Sequence, residues 1–268
     1  MFFVIEYNRR MSWASRRRAS YGFGVTLFLM IAIGGPIAYW YFSQPATCTD
    51  GARNQGETSP DKGGPCALLD ERMLSPYATL WSRSFRVRDG SYNAIAYVHN
   101  PNKSAGVRSV AYRFGLYDTQ NVLVAERLGR TYIMPGALTP IFEGAISTGQ
   151  RVALRTQFEF VEPLVWERLD DASKAIRIIE REVTAPDGAP RITARVQNTA
   201  VKDVRDVTFI ATVFDPVGNA FAASQTTLSS LAGGATEEII FTWPDPFGFS
   251  IGSIDISALA VPVAPPVR

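Results

Sequence analysis

Most of this chain is written twice. "AYVHN" (96–100) is answered by "ARVQN" (194–198), "FGLYDTQNVLVA" (114–125) by "ATVFDPVGNAFA" (211–222), and "MPG" (134–136) by "LAG" (231–233), always 97 or 98 residues on. That period is far above the roughly 20–50 residues of solenoid repeats, so it specifies tandem domains and not a stack of small units. Within each copy the apolar residues alternate. Ile192, Ala194 and Val196 share one face of "RITARV", and Val110, Tyr112, Phe114 and Leu116 share one face of "VAYRFGLYD". Period-two alternation belongs to half-buried strands. Turn formers such as "HNPN" (99–102), "PDG" (186–188) and "DPVGN" (215–219) punctuate the strands. Short strands with frequent turns in units of this size predict a mainly β fold of two tandem immunoglobulin-like β-sandwiches, over 80–162 and 163–258, with 259–268 as a C-terminal tail.

Neither copy contains a cysteine, so each sandwich must be held by apolar burial, at about 1.5–3 kcal/mol per fully buried large side chain. The expected cores are Phe85, Tyr97, Tyr112, Phe114, Leu116 and Ile133 in the first copy, and Ile192, Val196, Phe209, Val213, Leu228 and Phe241 in the second. Trp81, Trp166 and Trp243 are expected to brace domain edges.

Ahead of the repeat lies a segment of different character. No charged residue occurs from Ala19 to Thr49, and "YGFGVTLFLMIAIGGPIAYWYF" (21–42) is long and apolar enough to cross the ~30 Å hydrocarbon layer as a helix. Arg9, Arg10, Arg16, Arg17 and Arg18 crowd one end against Glu6 alone, while Tyr39, Trp40, Tyr41 and Phe42 form an aromatic belt at the other. The positive-inside rule then puts the basic tail, 1–20, in the cytoplasm and everything after about residue 43 outside. A cleaved signal peptide is the competing reading, disfavoured because the apolar run exceeds an h-region of about 7–15 residues and no A-x-A site follows it. A start at Met11 instead of Met1 leaves the topology unchanged. The formal charge is only +2 and the excess is in the tail, which argues against a nucleic-acid-binding body.

Two resemblances sharpen this outline. Phe114-Gly115-Leu116-Tyr117-Asp118, downstream of "AYVHNPN", resembles the F-x-L-Y-D signature of bacterial FxLYD-type immunoglobulin-like domains, and Ala211-Thr212-Val213-Phe214-Asp215 is a degenerate second copy. The stretch "CTDGARNQGETSPDKGGPC" (48–66) resembles a four-cysteine juxtamembrane knuckle of bacterial envelope proteins, with Lys62 and Leu69 standing where two cysteines would be. The resemblances imply a membrane-anchored, extracytoplasmic protein of the cell envelope and no enzyme activity. They imply that Cys48 and Cys66 remain as a pair if the missing two were partners.

The knuckle, in the segment 43–79 with its connector, is the one place where the residues themselves suggest chemistry. Two cysteines outside a membrane favour a disulfide over free thiols. A zinc site would need further Cys or His ligands, and the only histidine is His99, in the other part of the chain. Asp50, Asn54, Glu57 and Asp61 are hard oxygen donors suited to calcium, but their spacing does not follow the EF-hand loop. A solvated acidic turn capped by the disulfide is the favoured reading and calcium the alternative. No catalytic triad can be assembled around one histidine, and no nucleotide-binding fingerprint occurs. The expected function is therefore non-enzymatic: scaffolding or recognition of other envelope proteins, with polysaccharide binding as the alternative, marked by exposed aromatics beside acids, and an unfamiliar hydrolase site less favoured.

Overall fold

The computed structural model describes residues 13–43 and 47–265. Arg9, Arg10, Met11 and the rest of the first twelve residues lie outside the described residues, as do 44–46 and 266–268 of the C-terminal tail.

The apolar segment is helical and starts earlier than expected. Helix α1 (Trp13–Leu29) runs through a π-helical turn (Met30–Gly34) into α2 (Gly35–Ser43). The stretch Trp13–Tyr41, 29 residues with an 18-residue window of mean hydropathy 1.7, is long and apolar enough to cross a membrane. Arg17, part of the basic cluster, lies on the helix with its guanidinium 5.0 Å from the Trp13 ring and 5.9 Å from the Tyr21 ring. The wider turn precedes Pro36, whose ring has no N–H to donate and crowds the carbonyl four residues back. A π turn absorbs that mismatch without ending the helix.

From Cys48 onward the described chain forms one compact unit. It is mainly β: β1 (Ala78–Arg88), β2 (Ser91–His99), β3 (Ala105–Tyr117), β4 (Leu123–Ile133), β5 (Leu138–Ser147), β6 (Arg155–Phe160), β7 (Glu167–Arg168), β8 (Ile176–Thr184), β9 (Arg191–Asn198), β10 (Val204–Phe214), β11 (Ala220–Leu231), β12 (Thr236–Thr242) and β13 (Ser253–Leu259). All pairing is antiparallel. The first copy sets sheet β1-β2-β5 over sheet β4-β3-β6; the second sets β8-β9-β12 over β11-β10-β13. The repeat in the sequence is thus a repeat in topology, strand for strand.

Each sandwich encloses its own core. Tyr112, Phe114, Leu116 and Ile133 are buried in the first; Ile192, Val196, Phe209, Val213 and Phe241 are buried in the second, with Leu228 packed against them. The single-face alternation of β3 and β9 is what brings these side chains inward. Two residues differ from expectation. Phe85 and Tyr97 belong to neither core but to a third cluster with Ile95, Met134, Ile210, Ala223 and Leu259. This cluster lies between sheet β1-β2-β5 and sheet β11-β10-β13, with β11 lying against β1, β2 and β5. The two sandwiches therefore share a buried apolar interface and are not merely strung in series. The reason is that β2 is apolar on both faces: Ala94, Ala96 and Val98 point to the first core, Ile95 and Tyr97 to the second sandwich.

The segment between the sandwiches also packs differently from the boundary at residue 163. Trp166 is buried in the first core, and β7 pairs with the start of β3. The connector after the knuckle joins it there. Leu69 N–H donates to the Trp166 carbonyl (2.8 Å) and Arg168 N–H to the Ala67 carbonyl (2.7 Å). Of the C-terminal tail, Val263 exchanges both backbone hydrogen bonds with Asp170 (2.8 and 3.0 Å), so this part of the tail is tied to the linker between the sandwiches. Trp81, by contrast, stacks at 4.7 Å on its cross-strand neighbour Tyr97 and packs against the third cluster from β1, the edge strand of its sheet.

Candidate functional site

Cys48 and Cys66 form a disulfide, with an S–S distance of 2.06 Å and Cα atoms 5.6 Å apart. The loop it closes is turn upon turn. Gly64 has a φ of +53°, and a Cβ there would come within 2.7 Å of the Gly56 carbonyl oxygen, so no larger residue fits without moving the backbone. Three of the four oxygen donors proposed for calcium, Asp50, Glu57 and Asp61, serve this loop's own backbone. Asp61 accepts from Gly51 N–H through both carboxylate oxygens (3.2 and 3.0 Å). Asp50 accepts from Ala52 N–H (2.8 Å) and from the Asn54 amide (2.8 Å). Glu57, 4% exposed, accepts from Asn54 N–H and Asp61 N–H, both at 3.2 Å. The Asn54 carbonyl oxygen is buried without a partner. Among the described residues, the one set of three Cys, His, Asp or Glu side chains with donor atoms within 4.8 Å of one another is Cys48, Glu57 and Cys66. Its two sulfurs are joined in the disulfide. Asp50 and Asp61 stand outside that set.

Asp118 and Asp215, the closing letters of the two signature copies, have a matched role. Asp118 Oδ1 accepts from Gln120 N–H (3.0 Å) and Val122 N–H (2.9 Å); Asp215 Oδ1 accepts from Val217 N–H (3.0 Å) and Asn219 N–H (2.7 Å). These backbone donors, Val122 first for Asp118 and Asn219 first for Asp215, hold both carboxyls below the usual aspartate range. The aspartates thus pin the β3–β4 and β10–β11 turns. Asn100 and Asn198, each fully buried, are matched as well. Asn100 Nδ2 donates to the carbonyls of Ala105 (2.7 Å) and Met134 (2.9 Å), and Asn198 Nδ2 to those of Lys202 (2.8 Å) and Leu231 (3.0 Å). His99 ends β2 with its side chain exposed.

A cleft of about 650 Å³ lies between the sandwiches, bounded by β1, the start of β11 and the loop 243–249. Its rim carries a cluster of phenyl rings. Phe221 meets Phe247 edge-on at 5.4 Å and Phe249 at 5.5 Å, and Phe247 meets Trp243 at 5.1 Å. Phe249 is 62% exposed. Arg83 and Asn93 line the cleft but are spent on holding it together, donating to the carbonyls of Ala220 and Ala223, each at 3.1 Å. Arg86 pairs with Asp89 at 3.2 Å. Asp245 lines the cleft with its side chain exposed. Trp243 is 7% exposed, and its indole N–H has no hydrogen-bond partner. The sequence reading missed this site because its parts come from both copies and meet only once the third cluster has formed. The run "FTWPDPFGF" (241–249) was its one visible sign.

Neither a protein-family model nor a curated protein matches the chain. Among solved structures, a β-glucuronidase from glycoside hydrolase family 2 is similar at 10% identity and a TM-score of 0.23, over 82% of this chain and 29% of the enzyme. The Bacteroides uniformis β-glucuronidase scores 0.19 at 12% identity, over 65% of this chain and 22% of the enzyme. The tandem CBM22-1–CBM22-2 domain from Paenibacillus barcinonensis Xyn10C scores 0.15 at 8% identity, over 72% of this chain and 88% of that one. The chain spans less than a third of the length of either glucuronidase. Scores this low fall short of a shared fold.

Proposed function

We propose that the protein is a single-pass, membrane-anchored recognition scaffold of the bacterial cell envelope, N-terminus inside, non-enzymatic, with an FxLYD-like pair of immunoglobulin-like sandwiches outside. The observation that carries the proposal is the pairing of an apolar N-terminal helix with a disulfide at Cys48, five positions beyond the helix end at Ser43. Disulfides persist where the compartment is oxidising, so the body belongs on the far side of the membrane from the basic tail. Each sandwich has six main strands against the seven of an immunoglobulin constant-type domain. The duplicated strand order and the matched Asp118 and Asp215 turns support kinship with the signature-bearing domains. The shared interface supports the scaffold reading, because a body with three apolar clusters presents its surfaces in fixed relation.

The test is direct. Cells expressing the protein with a C-terminal tag are fractionated and the membranes washed with alkaline carbonate. The tag is expected in the washed membrane pellet and cleaved by protease added outside, and the protein is expected to run faster on a gel before reduction than after. A tag in the soluble fraction on a chain shortened at its N-terminus would instead show a cleaved leader.

A further inference from the structure

We infer that the cleft between β1, β11 and the 243–249 loop binds a neutral oligosaccharide. Its place and size suit a ligand: binding pockets gather at domain junctions and have volumes of about 300–1,000 Å³, and this one holds about 650 Å³. The fold otherwise buries its large aromatics well. Phe114, Phe209 and Phe241 are 0–1% exposed, whereas Phe249 stands out beside Phe221 and Phe247 at the cleft rim. An exposed ring beside two half-buried ones forgoes burial energy and marks a place that something else covers.

The chemistry of the lining selects the class of ligand. Phenyl faces offer apolar platforms to the C–H faces of a pyranose ring. Beside them stands an acceptor, the exposed Asp245 carboxylate, with the Trp243 side chain bordering the cleft. A sugar presents apolar faces together with hydroxyls that both donate and accept. The balance of charge favours a neutral one. Arg83 and Arg86 stand against Asp215 and Asp245, and Arg86 is paired with Asp89, so the negative groups outnumber the positive ones and disfavour uronate or sulfated chains. A proline-rich peptide would also stack on the rings, but its carbonyls need donors along the groove, and Arg83 and Asn93 already donate to the carbonyls of Ala220 and Ala223.

The experiment uses the full-length protein in lipid nanodiscs, since glycoside detergents would compete. Cellohexaose, maltohexaose, mannohexaose and N-acetylchitohexaose are titrated by calorimetry and tryptophan fluorescence, with hexagalacturonate and decaproline as comparisons. Saturable binding of at least one neutral hexasaccharide is expected. Phe249→Ala should weaken it by about tenfold or more with the melting temperature unchanged, as loss of a central aromatic anchor does. Asp245→Asn should weaken it too, while Val201→Ala, at a position 96% exposed and outside the cleft lining, should not. The inference is overturned if no neutral hexasaccharide saturates, if hexagalacturonate or decaproline binds in its place, or if Phe249→Ala binds as the parent does. Such a failure leaves the membrane placement and scaffold reading intact, because they rest on the helix, the disulfide and the interdomain cluster.

Discussion

Asn100 and Asn198 do in side chains what a strand pair does in backbone. Each lies at the end of a strand where the chain leaves the sheet, and each ties a nearby carbonyl, of Ala105 or Lys202, to a distant one, of Met134 or Leu231. Each also accepts a backbone N–H two residues on, from Asn102 and Ala200, both at 3.0 Å. Replacing either by alanine strands buried carbonyls that water cannot reach. Asn100→Ala and Asn198→Ala should each cost about 2–3 kcal/mol, read as a lower midpoint in urea with little change in slope. Asp118 and Asp215 give a pH signature. Their carboxyls titrate below the ordinary value of 3.8 in the folded protein, so the stabilisation they supply is complete above that value and is lost as pH falls through the depressed one. The denaturation midpoint should therefore drop as pH is lowered from about 5 to about 3, and drop less in the Asp118→Asn/Asp215→Asn double variant. In the knuckle, the acids are committed to backbone N–H groups. Calcium titration of the protein should give no heat attributable to this loop, and a saturable calcium isotherm abolished by Asp61→Asn would contradict that.

At the scale of elements, the legible strands were those with one dry face. The alternation in β3 and β9 reads directly because polar residues mark the other side. Strand β2 is apolar along "AIAYV" (94–98), and β10 along "FIATV" (209–213) apart from Thr212, so periodicity alone cannot say which face meets which partner. The signal for a second buried face was present as a continuous apolar run. The first stretch of β1, exposed along Ala78–Leu80, carried less. The knuckle is an element without regular structure, held by a crosslink across 18 positions. Its reduction, or the Cys48→Ser/Cys66→Ser pair, should lower stability by about 3 kcal/mol through the freed loop of the unfolded chain. Comparison of urea curves with and without a reducing agent checks this.

At the scale of the whole molecule, the third cluster makes two domains behave as one. Tyr97 reaches across the interface, its hydroxyl 2.8 Å from Thr212 Oγ1 and donating to Asp255 Oδ2 at 3.0 Å, and burial, first among the causes, raises its pKa well above the usual tyrosine value. With this interface intact, calorimetry should record a single cooperative transition for the body. Tyr97→Phe should cost about 1–2 kcal/mol, whereas Ile210→Glu, which puts a charge into the cluster, should split the melt into two transitions. One transition surviving in Ile210→Glu would mean that the sandwiches are coupled by something other than this contact.

The amino-acid sequence by itself determined the apolar helix, the duplication, the strand-rich class and the cysteine pair. Each is written in local pattern: a run without charge, a period of two, a spacing of 97 or 98, two cysteines and no more. Tertiary structure alone decided that Tyr97 and Phe85 leave the first core for the interface, that Trp166 packs backward onto the first sandwich, and that Phe85, Phe221 and Phe249 line one cleft. Phe85 and Phe221 stand 136 positions apart, and no local period records which exposed faces of two finished sandwiches will find each other. That choice belongs to shape and to the apolar area left over after each core has closed.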